Sequence, residues 1–187
     1  MKTPAWSRLA GYAWGVLLWN VLVALFGAYV RATGSGAGCG AHWPTCNGEV
    51  IPRAPQVETL IEFTHRATSG LAFLSVLALF LWALRAFPKG HPARFGAGLA
   101  LFFMVTESLV GASLVLFGWT ADNVSRERAV VQMVHLANTY FLLAALALTA
   151  WWASGGGPLR LRGHGAVRRA IFLGLLALVC LRISAAV

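Results

Sequence analysis

Long apolar runs constrain this chain more than any other feature. A helix needs about 20 residues to cross a hydrocarbon core, and apolar runs near or above that length occupy Tyr12–Val30, Leu60–Leu84, Gly96–Gly118, Ala129–Ala153 and Ala170–Val187. With 58% apolar and 11% charged residues and a mean hydropathy of +0.70, the chain of 187 residues lies far outside the range of a soluble domain. The expected fold class is all-α: a polytopic membrane protein with a four-helix transmembrane bundle in residues 1–153, a basic cytoplasmic linker in 154–169 and a fifth transmembrane helix in 170–187 that runs into the end of the chain. Lys2 and Arg8 precede the first run as in a signal peptide. Its apolar part is too long for one, and no small-x-small cleavage site follows, so it reads as an uncleaved span.

Basic residues set the orientation, because short cytoplasmic loops retain Lys and Arg. With the N-terminus inside, the inner segments hold Lys2, Arg8, Arg85, Lys89, Arg94 and the linker residues Arg160, Arg162, Arg168 and Arg169, against Arg31, Arg53, Arg126 and Arg128 outside. The expectation is a multi-pass plasma-membrane protein with a cytoplasmic N-terminus. Its net charge of +9 is accounted for by anionic lipid headgroups and requires no nucleic acid. Trp43 and Trp119 then fall near the outer interface, and Trp82, Trp151 and Trp152 near the inner one.

This topology places a long loop, residues 31–59, outside. It contains "GSGAGCGAHWPTC", with Cys39 and Cys46 close enough in sequence to bridge in an oxidising compartment. The alternative is two unpaired loop thiols. Cys180, in the fifth run, reads as an inert buried residue.

Ionisable groups inside a span are costly and are functional candidates by default. The second run opens "ETLIEFTHRATSGLAF", so Glu62, His65 and Arg66 lie three and four residues apart on one helical face. The fourth opens "VVQMVHLANTYFLL", with His135 on an otherwise apolar surface. Uncharged runs continue from Arg66 through Leu84 and from His135 through Ala153, which puts both histidines at similar depth on helices of the same direction. Two such imidazoles can approach one object from opposite sides, and a bis-histidine haem between facing helices is the natural object. Singly, either histidine also suits a hydrogen bond across helices. A zinc site wants three or four ligands, whereas His42, His91 and His164 fall in loops and read as solvated. Glu62 suits a helix start or an ion pair with Arg66, but beside His65 at the hydrocarbon edge it is also a candidate acid–base group. In that case Arg66 is left for a haem propionate. Glu107, in the third span, is either a hydrogen-bonded interior carboxyl or part of a proton path.

"GAYVRATGSGAGCGAHWPTCNGEVIP", then "ETLIEFTHR", then a histidine opening a fourth span, resembles the haem A synthase family of membrane enzymes over about residues 10–155. The resemblance implies oxidation of haem O to haem A for cytochrome oxidase by successive hydroxylation of one porphyrin methyl to a formyl. It also implies eight helices in two similar halves, one holding the haem substrate and the other a haem b cofactor. It assigns the first-half histidines to His65 and His135, the catalytic glutamate to Glu62 and the outer cysteine pair to Cys39 and Cys46. The loop then becomes a lid whose disulfide fixes its shape or takes part in redox transfer. The chain departs from the pattern by ending inside a fifth span. It is therefore expected to be a fragment lacking the C-terminal half, or a half-size form that self-associates.

Three functions follow: a haem-modifying oxidoreductase with a quinone or other electron acceptor, a bis-histidine electron carrier, and a thiol–quinone oxidoreductase built on the cysteine pair. A carrier has no need of Glu62 beside its ligand. Thiol oxidases favour closely spaced cysteines, whereas six residues separate this pair.

Overall fold

A computed structural model describes residues 5–121, 123–157 and 165. These residues form four long helices, α1 (Ala5–Ala32), α2 (Val57–Ala86), α3 (Pro92–Leu116) and α4 (Arg126–Ala153), with a short 3-10 turn, Ser35–Ala37, after α1. All four are long and apolar enough to cross a membrane. The protein is an all-α, multi-pass membrane protein. The expected fifth span, Ala170–Val187, and most of the 154–169 linker lie outside the described residues.

The helices begin before the apolar runs do. α2 starts with Glu58 in its first turn and α4 with Glu127, where a carboxylate meets the positive end of the helix dipole and hydropathy gives no signal. Ser125 caps α4 by accepting the Arg128 N–H, and His91 caps α3 through its side chain, with Pro92 in the first turn. His91 is thus a structural residue rather than a purely solvated one. α3 ends at Leu116, short of the expected Gly118, whose φ of 65° turns the chain into the left-handed region.

Packing runs round a ring: α1 lies against α2 and α4, and α3 lies against the same two. Neighbours are antiparallel. The Trp14 indole near the start of α1 donates to Ser154 just past the end of α4, and Tyr12 donates to the Ser75 carbonyl of α2. α2 and α4 therefore stand on the diagonal of the bundle.

The close-packed apolar cluster fills one half of the bundle only. It runs from Leu9 to Val16 on α1, Ala72 to Ala83 on α2, Ala93 to Met104 on α3 and Leu142 to Ala153 on α4. Ten of its seventeen members are alanine, and small side chains let helix backbones approach where lipid offers no hydrophobic drive. Large apolar side chains such as Leu18, Leu25, Leu74, Phe102 and Phe141 point outward, as a lipid-facing surface requires. At the other end, beside the long loop, the main apolar cluster stops and polar side chains enter the interior.

Candidate functional site

The α1–α2 loop docks on the first turns of α2. Gly38 makes this possible: a Cβ there would fall 2.5 Å from the Glu58 carbonyl carbon and oxygen and 2.6 Å from the Thr59 nitrogen, so only glycine allows the loop backbone so close. The Thr59 hydroxyl donates to the Gly38 carbonyl at 2.7 Å. Cys39 and Cys46, both buried, are joined in a disulfide with Cα atoms 4.4 Å apart. The Asn47 N–H donates to the Cys39 carbonyl at 2.9 Å, closing a compact turn.

Glu62 and Arg66 tie this lid to the bundle. Glu62 is only 3% exposed, and its Oε2 accepts the Cys39 N–H at 2.7 Å. Its Oε1 accepts Arg66 Nε at 3.0 Å and pairs with Nη2. Arg66 Nη1 donates to the Thr45 carbonyl at 2.7 Å and also to that of His42. Four of the five guanidinium N–H groups thus have protein acceptors. One N–H remains for any further partner, such as the haem propionate that the sequence pattern suggests. The loop carbonyls that occupy the others are set by loop conformation, which residue spacing on α2 does not reveal. His42, expected as a solvated loop residue, takes part through its carbonyl.

His65 and His135 stand on diagonal helices in the loop-side half, where the main apolar cluster is absent. Each lies against a glycine. A Cβ on Gly27 of α1 would stand 3.1 Å from His65 Cε1 and 3.3 Å from Nε2, and one on Gly111 of α3 would stand 3.5 and 3.6 Å from the same atoms of His135. Phe26 meets the His65 ring edge-on at 5.7 Å between centroids. Both Nδ1 atoms are buried without a hydrogen bond.

Glu107 joins the cluster from α3. Its Oε2 accepts Asn138 Nδ2 at 2.6 Å, its Oε1 accepts the Thr139 hydroxyl, and Oε1 lies 3.3 Å from His135 Nδ1. Of the two readings of Glu107, the hydrogen-bonded interior carboxyl matches this geometry. Asn138, Thr139, Gly27 and Gly111 do not stand out in the sequence. For two of them a signal is nonetheless present, since Asn138 and Thr139 follow His135 by three and four residues and so share its helical face.

These residues fit a haem on chemical grounds. Neutral imidazole is a standard axial ligand, and both rings carry buried polar atoms with no protein hydrogen bond. The rings themselves pack against these glycines: a Cβ on Gly27 would crowd the His65 ring, whereas one on Gly111 would meet the His135 ring at ordinary contact distance. Among the described residues no group of three His, Cys, Asp or Glu could hold a metal ion.

The chain spans about a third of the length of the curated relatives it matches. A Thermus thermophilus protein named protoheme IX farnesyltransferase is 95% identical over all 187 residues, which make up 31% of that protein. The heme A synthase of Exiguobacterium sibiricum is 46% identical over 97 residues, 52% of this chain and 33% of the relative. That of Halalkalibacterium halodurans is 46% identical over 98 residues, again 52% and 33%. No solved structure matches. Residues 10–186 match the COX15-CtaA family of cytochrome oxidase assembly proteins, and the chain belongs to that family.

Proposed function

We propose that this chain is the haem-holding four-helix unit of a haem A synthase-like membrane oxidoreductase, with haem O as substrate. The observation that carries the proposal is the pair of imidazoles, His65 and His135, carried by diagonal helices and each packed on a glycine of a neighbouring helix, in the half of the bundle that the main apolar cluster leaves unfilled. His65 and His135 are the axial ligands. The disulfide-closed loop covers the open end and limits water access. Glu62 serves as the catalytic carboxylate. A carboxylate has about four acceptor positions, and Cys39 and Arg66 use three. A fixed anion of this kind stabilises the positive charge that develops as a porphyrin methyl is oxidised to a formyl. The formyl oxygen comes from water, and the four electrons and four protons released leave by way of a haem b, supplied by a C-terminal half or a second subunit, to a quinone or other acceptor. Residues 31–59 lie outside the cell and the N-terminus in the cytoplasm.

The farnesyltransferase name belongs to proteins more than three times the length of this chain, which makes up 31% of them. Transfer of a prenyl diphosphate is served by carboxylates that hold Mg²⁺ against the phosphates. This chain has six acidic residues, of which only Asp122 is an aspartate, and among the described residues no group of three His, Cys, Asp or Glu could hold a metal ion. The oxidoreductase is therefore the better-supported reading.

Chromatography of haems extracted from cells making haem O tests it. Cells making this chain, alone or together with the C-terminal half of a heme A synthase, should yield haem A or its alcohol precursor, and Glu62→Gln should still bind haem O while accumulating unreacted substrate. Haem b alone would favour the electron carrier, and absence of bound haem would favour the thiol–quinone enzyme. Farnesylated haem made from protohaem would move the assignment to the transferase.

A further inference from the structure

Glu107 and His135 face each other across the α3–α4 seam with Oε1 3.3 Å from Nδ1, yet Nδ1 has no hydrogen bond, so the two groups are close but not aligned. The carboxylate is firmly placed. Asn138 and Thr139 both donate to it, while Asn138 is itself fixed by donating to the Phe103 carbonyl at 2.8 Å and accepting from Thr106 at 2.7 Å. One turn of α4 therefore carries both the imidazole and the two side chains that aim a carboxylate at it. Among the described residues nothing equivalent stands at His65: its Nδ1 is also buried without a partner, and the oxygens of Glu62 are bound to Cys39 and Arg66.

We propose that Glu107 is a positioning residue for His135, accepting its Nδ1–H so that the proton stays on Nδ1 and Nε2 presents its lone pair to the iron. A neutral imidazole carries one ring proton, and a carboxylate at one nitrogen selects which. Ligating histidines are commonly held this way, and the partner also makes the ring a stronger donor. A rotation of the ring about its Cβ–Cγ bond aligns the two groups without moving either helix. Among the described residues His65 has no such partner, so the two imidazoles are unequal, with His135 the stronger ligand and His65 the more exchangeable. The inference rests on His135 being a ligand.

The test uses the 187-residue chain in phospholipid nanodiscs with hemin as probe. In a His65→Ala background, reduced iron keeps one histidine, and its iron–nitrogen stretch in the resonance Raman spectrum reports the hydrogen bond at Nδ1. Glu107→Gln keeps the side-chain shape and removes the charge. It should lower that frequency and weaken hemin binding by about ten- to a hundredfold. Thr139→Val releases one of the clamps on the carboxylate and leaves its charge in place, so it should shift the band in the same direction by less, and it decides the question if Glu107→Gln fails to assemble. An unmoved band in the assembled variants, with hemin still bound through His135, overturns the role of Glu107 and leaves the ligand assignment standing. A hemin spectrum unchanged by His135→Ala overturns the ligand assignment, and this inference with it.

Discussion

Replacing Arg66 with Met tests how the outer loop is held. The Arg66–Glu62 pair is largely buried, with side chains 13% and 4% exposed, and the same guanidinium holds the Thr45 and His42 carbonyls. Methionine keeps much of the stem's bulk and removes every donor. Breaking a buried ion pair by deleting one partner costs about 3–5 kcal/mol, because the remaining charge stays buried without compensation. That cost falls on docking of the loop rather than on the bundle, whose main apolar cluster begins at Ala72 on α2. At about 1.4 kcal/mol per tenfold, even the lower figure raises the open population of the loop by roughly a hundredfold. The readout is hydrogen exchange of the Cys39 amide, which Glu62 holds at 2.7 Å, and of the Asn47 amide, which the Cys39 carbonyl holds at 2.9 Å. Both should exchange about a hundredfold faster in Arg66→Met, with amides near Val76 and Leu79 unchanged. Equal protection of Cys39 and Asn47 in the variant and the parent would refute the claim that this pair latches the loop.

Gly38→Ala should displace the loop from α2, because its Cβ has no room beside the Glu58 carbonyl, and the Cys39–Cys46 disulfide should become markedly easier to reduce with a water-soluble phosphine. Gly27→Leu should abolish hemin binding by pushing on the His65 ring, whereas the same change at Gly11, which has nothing within 4 Å of its Cβ position, should leave the hemin spectrum intact. In intact cells a membrane-impermeant maleimide should label Cys39 and Cys46 only after reduction. Labelling that requires the membrane to be opened would reverse the assigned orientation.

Much of the fold was legible because lipid leaves few choices. A chain that must satisfy its backbone internally writes each span as an apolar run, and four such runs became α1 to α4 within a few residues. The misjudged ends share one cause. Glu58, Glu127 and the His91 cap stabilise helix starts by charge and hydrogen bonding, to which hydropathy is blind. His65 and His135 lie in the loop-side half on diagonal helices, as their matched spacing from the span ends implied. What spacing on one helix does not carry is which donors a distant loop consumes. Arg66 shares a helical face with Glu62, but whether its outer edge meets a ligand or a carbonyl depends on a loop whose path is set by Gly38 and the disulfide. Glu107 was visible as an anomaly in α3, and its meaning emerged only when α4 brought Asn138, Thr139 and His135 against it.

The central claim, that His65 and His135 hold one haem between them, is tested most directly by the electronic absorption and electron paramagnetic resonance spectra of the purified chain reconstituted with hemin. The parent protein should show a six-coordinate low-spin iron, and His65→Ala and His135→Ala should each convert it to a high-spin form with one histidine. A low-spin bis-histidine spectrum that survives in both single variants would contradict the account.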